Sequence, residues 1–335
     1  MLDYLAIQAK TLVQLKKITF IIHDLLNKEN QEGYRIHQYF PYLRKRGFAI
    51  QLFTKKANML EVLKAVRRSD VTLIQRALLS PLKLSLVRRC SKKIVYDFDD
   101  AVMFGTTGKS STRRSRFGKV VRSSDAVFCG NHFLLNEARK YKSDNLYCVP
   151  TVVDTDEYQV KVHDNHNPFV AGWIGSSSTL QYLADMKDLF LSDTSGRTAF
   201  KIIADKPLEV TGASILFERW QKSTEIASLL SCDMGIMPVR DDIWSRGKCG
   251  LKLIQYMASG LPSVTHPVGV AQEMIDDGIN GFLRADTDGW VEAIDELSRN
   301  PAKRERMGRA ARETAEEKYS LRVWGPRVAE ILDNL

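Results

Sequence analysis

The chain has 335 residues, of which 44% are hydrophobic and 27% are charged. This balance excludes a disordered chain and suits two domains of about 150 residues each. The longest uncharged apolar runs, such as ITFII at 18–22, are far shorter than the roughly 20 residues of a membrane span.

Five cysteines are scattered along the chain, and no two of them have CxxC spacing. This pattern argues against a disulfide framework and against a zinc site, and it favours a reducing compartment. We therefore expect a cytoplasmic protein. Residues 1–16 lack the features of a signal peptide and fit an amphipathic helical extension better.

The formal net charge of +9 is unevenly distributed. Residues 1–165 contain 29 Lys and Arg against 16 Asp and Glu, whereas the rest contains 20 against 24. A basic first half favours an anionic partner such as a membrane surface, a pyrophosphate-bearing lipid or nucleic acid, although it can also serve solubility alone. No zinc-finger, RNA-recognition or helix-turn-helix pattern accompanies the charge, so we do not expect nucleic acid.

The first half alternates predicted strands and helices. Apolar, β-branched segments predict strands, and the segments between them have the periodicity of helices. This alternation predicts a parallel sheet with helices on both faces, in a first domain over residues 17–160. The predicted strands are 17–22, 48–54, 71–75, 93–100 and 126–131, with 145–154 closing the half, and the predicted helices are 33–47, 58–67, 81–90 and 131–141.

A second alternation follows a polar linker at 155–168 and predicts a domain over residues 169–319. Residues 320–335 predict a final helix that is long enough to cross back to the first domain. We therefore predict an α/β protein with two doubly wound, Rossmann-like domains and a ligand cleft at the carboxyl ends of their strands. The second domain's predicted strands are 169–175, 200–205, 234–239 and 262–267, and its first predicted helices start near 178, 223 and 250.

The segment SRGKCGL at 245–251 combines two glycines and two cations just before a predicted helix. Gly247 and Gly250 allow close approach of a ligand to the backbone. A helix that begins near Gly250 leaves about four amide hydrogens unpaired, and Lys248 and Arg246 add full charges beside them. This combination predicts a diphosphate site. A glycine-rich turn before a buried helix is the simpler alternative.

Two further strand-to-helix junctions lie in the second half. In GWIGSSST at 172–179, Gly175 precedes Ser176, Ser178 and Thr179, whose hydroxyls can cap the helix or donate to a phosphate. In 266–283, Glu273 lies near the start of a short helix, where a carboxylate is favoured by the helix dipole.

Residues 233–283, which include GKCGLKLIQYMASGLP, resemble the donor-binding region of retaining glycosyltransferases of family 4, which have the GT-B fold. The resemblance runs from about Trp173 to the end and extends weakly to YDFDDAVMF and GNHFLLNEA. The GKC…K…QYMA pattern is similar to one branch of the family. The resemblance implies a nucleotide-diphosphate-sugar donor, an acceptor bound mainly by the first domain, retention of anomeric configuration, and no metal or other cofactor.

The family pattern has two glutamates eight positions apart, whereas this chain has Gly247 and Gln255 at those positions. Gln255 can still hydrogen-bond a ribose hydroxyl, whereas Gly247 cannot contact the donor sugar. The resemblance leaves Glu273 and the backbone amides from Cys249 to Leu251 as sugar contacts. Lys248 is the best substitute for a cationic pair that the family places where this chain has SSST.

Acidic residues follow the fourth predicted strand, in YDFDDAV. We expect Asp99 or Asp100 to orient the acceptor hydroxyl or to accept its proton. A metal site is the less favoured alternative, since such a site needs further oxygen ligands. Arg35 and Arg76, which follow the first and third predicted strands, are candidates for contacts with donor or acceptor phosphates.

The segment KSSTRRSRFGKVVR at 109–122 has six cations and no acid. Phe117, Val120 and Val121 fall on one side of a helical wheel, which predicts an imperfect membrane-surface helix. A solvated basic helix is the alternative.

Together these features predict a glycosyltransferase of polysaccharide or glycoconjugate biosynthesis, cytoplasmic or peripheral to the inner face of a membrane. Its acceptor is expected to be a glycan or a lipid-pyrophosphate-linked molecule. The alternatives are a GT-B-fold epimerase and a non-catalytic subunit that binds sugar nucleotides.

Overall fold

The computed structural model describes residues 15–22, 34–54, 56–105, 108–192, 196–213 and 215–335. The helical extension predicted for residues 1–16 falls almost entirely outside these ranges, and Lys16 already belongs to the first strand.

The first domain is built on a six-stranded parallel sheet with the order β2-β1-β3-β4-β5-β6. Its four central strands are largely buried, as expected where helices cover both faces. Helices α2 to α5 pack on one face, and α1 packs on the other. The elements are β1 (Lys16–Ile22), α1 (Phe40–Lys45), β2 (Phe48–Thr54), α2 (Met59–Arg67), β3 (Val71–Gln75), α3 (Pro81–Cys90), β4 (Lys93–Phe98), α4 (Ser111–Ser123), β5 (Ala126–Cys129), α5 (His132–Arg139) and β6 (Leu146–Cys148).

The second domain contains another six-stranded parallel sheet, with the order β12-β11-β10-β7-β8-β9. The chain enters it through a segment that holds a short 3₁₀ turn at Thr155–Glu157. The elements are β7 (Phe169–Ile174), α6 (Gln181–Ala184), α7 (Lys187–Ser192), β8 (Thr198–Ala204), β9 (Ile215–Arg219), α8 (Glu225–Leu230), β10 (Met234–Met237), α9 (Ile243–Arg246), α10 (Leu251–Ala258), β11 (Ser263–Thr265), α11 (Ala271–Met274), β12 (Phe282–Leu283), α12 (Thr287–Arg299), α13 (Pro301–Lys318) and α14 (Leu321–Asp333).

The last helix, α14, lies on the first domain. Its buried side chains, including Leu321, Val328 and Leu332, join the apolar cluster formed by β1, β3 and α1. Lys16 Nζ lies 2.7 Å from Asp333 Oδ1 and ties the start of β1 to the end of α14. The chain therefore crosses between the domains twice.

Helix α4 corrects the prediction of a membrane-surface helix over 109–122. Phe117, Val120 and Val121 are buried in the core of the first domain, and Phe117 packs edge-on against Phe98 and Tyr141. The apolar side of α4 is therefore not available to a membrane, and the alternative of a solvated basic helix describes it better. In the described part of the chain, no helix combines the length and apolarity needed to cross a bilayer.

Several elements differ from the predictions. The predicted helix over 33–47 becomes a 3₁₀ turn at His37–Tyr39 followed by α1, whose first turn contains Pro41. Strand β4 ends at Phe98, before the two aspartates that the prediction included in it. Strand β9 was not predicted, because it is an edge strand with exposed apolar side chains and lacks the buried pattern of its neighbours.

Candidate active site between the domains

Helix α10 begins at a glycine in the left-handed region. Gly250 has a φ of 69°, and a Cβ there would lie 2.7 Å from Met274 Sδ. No side chain caps the helix, and Ile254 N donates the first i→i−4 bond, to Gly250 O at 3.1 Å. The amides from Leu251 to Leu253 therefore remain as donors for a ligand.

Two lysines lie at this end of α10. Lys248 Nζ is 4.3 Å from the centre of the Tyr182 ring, and Lys252 Nζ is 5.1 Å from that of Trp173. Burial, together with the neighbouring charge of Lys248, lowers the pKa of Lys252 to about 7. Neither lysine forms an ion pair with a carboxylate in the described ranges. Unpaired positive charge at a helix amino end is suited to an anion.

Gly175 brings the loop after β7 against the lysine pair. A Cβ at this position would lie 2.5 Å from the Trp173 ring and 2.7 Å from Lys252 Cε. Only a residue without a side chain allows this approach, so Gly175 lets the loop pack directly against Lys252.

The hydroxyls after Gly175 do not cap an α-helix, contrary to prediction. The segment is a 3₁₀ turn at Ser177–Thr179, in which Ser176 and Ser178 share a hydrogen bond of 2.7 Å and Thr179 donates to Ser176 O at 3.0 Å. Ser177, which was not predicted, donates its amide and hydroxyl to Asp205 at 2.5 and 2.7 Å. These local bonds hold the turn, and Ser176 and Ser178 remain exposed.

The first domain contributes an arginine and two aspartates at the carboxyl ends of β3 and β4. Arg76 has a φ of 56°, and its guanidinium pairs with Asp100 and lies 3.4 Å from Asp99 Oδ1. Asp99 Oδ1 is buried and has no hydrogen-bond partner in the described structure. The predicted acceptor-side residues Arg76, Asp99 and Asp100 are thus brought together at the carboxyl edge of the first sheet.

Arg35 does not face the cleft, and its predicted contact with phosphates is wrong. The side chain is buried, donates to both oxygens of Asp97 at 2.7–3.1 Å, and donates to Val149 O at 2.6 Å. Burial raises the pKa of Asp97, and the Arg35 charge opposes that rise. Arg35 therefore holds the interior of the first domain together.

The domains meet along the loop from α9 to α10. Asn131 caps α5 by accepting from Leu134 N, and its amide nitrogen donates to Lys248 O at 2.8 Å and Arg246 O at 3.3 Å. Trp244 Nε1 donates to Gly105 O at 3.0 Å. The first domain thus fixes the backbone that carries Lys248, a role of the GNHFLLNEA segment that the sequence did not show.

The surroundings of Gly247 explain why the chain has a glycine where the family pattern has a glutamate. A Cβ on Gly247 would lie 2.6 Å from the Cβ of Ala101, so no side chain fits there. Cys249 is buried at the same interface, with its Sγ 3.1 Å from Asp99 O, and burial raises the pKa of its thiol. The glycine permits the close approach of the two domains. Cys249 is packed between them, so only its backbone is left for a ligand.

Arg246 and Glu273, two further predicted donor contacts, are bound elsewhere. Arg246 is exposed and pairs with Asp241 at 2.7 Å. Glu273 lies 2.7 Å from His132 Nδ1 across the domain interface. No contact in the described structure joins either side chain to the lysine pair.

Gln255 belongs to a polar cluster that the sequence analysis missed. Its Nε2 lies 3.5 Å from the hydroxyl of Tyr34, which comes from the first domain. The same hydroxyl receives a hydrogen bond from Lys222 Nζ at 2.7 Å and bonds to the buried carboxylate of Glu225. Burial raises the pKa of Tyr34. The sequence feature that could have pointed to this cluster is Glu225, the acid at the start of the helix in RWQKSTEIASLL, but nothing in the sequence indicated that Glu225 is buried.

Sequence comparisons identify part of the second domain. Residues 194–300 match the family model described as Glycosyl transferases group 1. A segment of 79 residues is 38% identical to the spore coat protein SA of Bacillus subtilis (strain 168) and covers 23% of this chain. The match spans 20% of that relative's length. Both lysines lie within the region that the family model covers.

Structural comparisons cover almost the whole chain. Sucrose-phosphate synthase from Thermosynechococcus elongatus superposes with a TM-score of 0.76 at 11% identity, over 95% of this chain and 98% of that one. Anabaena HepE, solved in complex with UDP, superposes with a TM-score of 0.73 at 14% identity, over 96% and 100%. The chain has the two-domain GT-B fold. The predicted fold class is confirmed.

Proposed function

We propose that this protein is a retaining glycosyltransferase that moves a sugar from a nucleotide-diphosphate sugar to a hydroxyl group of a glycan or lipid-linked acceptor. One observation carries the proposal: Lys248 and Lys252 lie at the uncapped amino end of α10, without carboxylate partners in the described ranges. This end lies within the glycosyltransferase-matching region. Structures of HepE with UDP and with UDP-glucose favour a nucleotide sugar as the ligand of such a fold.

In the proposed reaction, the lysines and the first amides of α10 neutralise the negative charge that develops on the leaving diphosphate. Preorganised donors aimed at developing charge are usually the largest catalytic contribution. Since the lysines supply this charge, the proposed step uses no metal or other cofactor. The acceptor oxygen attacks on the face that the diphosphate leaves, which retains the configuration.

The acceptor hydroxyl is assigned to the Arg76, Asp99 and Asp100 group. Asp99 accepts the hydroxyl proton or orients the hydroxyl, while Arg76 pairs with Asp100 and lies 3.4 Å from Asp99 Oδ1. Because these residues follow β3 and β4 and the lysines follow β10, the two halves of the reaction come from different domains.

A thermal-shift panel of nucleotide-diphosphate sugars tests the donor site. We expect the wild-type protein to be stabilised by its donor and Lys248→Ala to lose about 10- to 100-fold in affinity, the usual cost of a charge-assisted contact. The matched control is Lys187→Ala, which removes an exposed lysine of the same domain. Equal shifts for the two variants would contradict the assignment.

A non-catalytic sugar-nucleotide-binding subunit is the second candidate, and Gly247 favours it. The contact of Gly247 with Ala101 excludes a side chain that the family pattern assigns to the donor sugar. Release of nucleotide diphosphate from the stabilising donor distinguishes the two. Binding without release, with and without mixed glycan acceptors, would support the subunit.

A further inference from the structure

The positive charge of the protein is concentrated on three neighbouring helices. Helices α2, α3 and α4 together contain ten Lys and Arg and one acid, Glu61. Since the whole chain has a net charge of +9, the rest of it is neutral. Eight of these cations are exposed and have no carboxylate partner in the described structure: Lys64, Arg67, Lys83, Arg89, Arg113, Arg114, Lys119 and Arg122.

Leucines are exposed among these cations. Leu60 on α2 and Leu82 on α3 have relative exposures of 70% and 72%, and Leu86 follows at 36%. Both helices already bury apolar side chains in the first domain, such as Val66 on α2 and Val87 on α3. Packing of the fold therefore does not account for the exposed leucines.

The spacing places leucines and cations on the same sides of their helices. Leu60, Lys64 and Arg67 are at positions i, i+4 and i+7 of α2, and Leu82, Leu86 and Arg89 have the same spacing in α3. Helix α3 packs between α2 and α4. We call the exposed residues of these three helices the basic leucine face.

We propose that the basic leucine face docks the protein on an anionic phospholipid surface. Lysine and arginine side chains near a membrane are attracted by anionic headgroups, and exposed leucines can enter the boundary between headgroups and acyl chains. Nucleic acid or another soluble polyanion would engage the cations but would gain little from the leucines. This inference does not depend on the proposed glycosyl transfer.

Docking on this face has a consequence for the cleft. Leu60 and Leu82 lie in the first turns of α2 and α3, which begin at the carboxyl edge of the first sheet. Arg76, Asp99 and Asp100 lie at the same edge. Docking therefore brings the acceptor side of the cleft towards the headgroups, where a lipid-linked acceptor would be presented.

Flotation of the full chain with lipid vesicles tests the proposal. We expect binding to phosphatidylcholine vesicles that contain about 30% phosphatidylglycerol, little binding to phosphatidylcholine alone, and weakening as the Debye length falls from about 10 Å at 0.1 M salt to about 3 Å at 1 M. The double variant Leu60→Ser/Leu82→Ser should bind more weakly by about tenfold for each leucine. Its control, Leu191→Ser/Leu216→Ser, removes two exposed leucines of the second domain and should bind as wild type.

A charge variant gives an independent measurement. Lys83→Gln should weaken binding to the anionic vesicles about fivefold, whereas Arg306→Gln on α13 should leave it unchanged. The leucine variants should keep the wild-type melting temperature and any donor-induced thermal shift, which separates this proposal from the donor site.

Three results would overturn the docking proposal. The first is absence of wild-type binding to the anionic vesicles. The second is equal binding by the wild type and the Leu60→Ser/Leu82→Ser variant. The third is displacement of the protein from vesicles by double-stranded DNA with equal efficiency for wild type and leucine variant, since that would assign the cations to a soluble polyanion.

Discussion

We expect Lys252 to make the affinity of the protein for a nucleotide-diphosphate sugar depend on pH. Its pKa in the ligand-free protein is about 7, because burial and the charge of Lys248 disfavour the protonated form. A bound diphosphate would favour that form and raise the pKa. Donor binding should therefore take up a proton above about pH 7 and weaken as the pH rises.

The size of the effect follows from the fraction of Lys252 that carries a proton. If only the protonated form binds the diphosphate, the affinity falls about tenfold between about pH 6 and pH 8, which is about 1.4 kcal/mol. The ligand should be a nucleotide-diphosphate sugar, in which both phosphates are esterified. A terminal phosphate has a second pKa of about 6, and its titration would obscure that of the lysine.

Titration calorimetry over this pH range, in buffers of different ionisation enthalpy, measures both the affinity and the proton uptake. Lys252→Arg keeps the charge at all pH values, so it should bind at pH 8 without proton uptake. Lys252→Met should bind weakly at every pH. Lys248→Ala should bind more weakly and shift the midpoint upwards, because a neighbouring cation has been removed. Proton uptake by Lys252→Arg equal to that of the wild type would refute the reasoning.

The same pKa makes an independent prediction for the ligand-free protein. The unfolded chain holds the Lys252 proton up to the ordinary value of 10.5, whereas the folded chain releases it at about 7. The unfolded state therefore binds more protons between these values, and the free energy of unfolding should rise with pH across that window. Lys252→Met should remove this part of the rise in urea unfolding experiments.

Two further substitutions test the packing. Gly247→Ala should lower the free energy of unfolding by about 1–3 kcal/mol, because the added methyl group overpacks against Ala101, and it should increase the radius of gyration in solution scattering. The double variant Gly247→Ala/Ala101→Gly should partly recover both. An unchanged radius and stability would contradict the close approach of the domains. Arg35→Met should lower the free energy of unfolding by about 3–5 kcal/mol because Asp97 loses its partner, and adding Asp97→Leu should restore most of that stability. If Arg35→Met instead kept wild-type stability and lost acceptor binding, Arg35 would have the ligand-binding role that the structure argues against.

The alternation of strands and helices was sufficient to predict the fold. Strands such as Phe48–Thr54 and Val71–Gln75 have the predicted bounds, because both are short apolar runs bounded by polar turns. The start of α10 near Gly250 was predictable for a related reason, since a glycine followed by an apolar helical pattern marks a helix boundary. Features of this kind are local in the sequence.

Partners that are distant in the chain could not be predicted. Arg35 and Arg76 have the same charge and similar positions after strands, yet Arg35 is buried on Asp97, whereas Arg76 is partly exposed and pairs with Asp99 and Asp100. The side of α4 that contains Phe117 was identified correctly, but a helical wheel does not show whether an apolar side meets lipid or the protein's own sheet. Glu225 was missed because its burial depends on Tyr34, 191 residues away.

The two departures from the family pattern have a common electrostatic consequence. A glutamate at 247 and one at 255 would each place a negative charge near the diphosphate, whereas Gly247 and Gln255 place none. With those charges absent, a lysine pair that includes the partly neutral Lys252 can still supply a net attraction for the leaving group. Because the close approach of Ala101 leaves no room for a side chain at 247, the proposed mechanism leaves the backbone amides between Cys249 and Leu251 to bind the donor sugar. A donor site of this kind would discriminate between sugars by their shape against the backbone rather than by a hydrogen bond to a charged side chain. Gln255→Glu, which introduces the carboxylate of the family pattern, should weaken rather than strengthen donor binding.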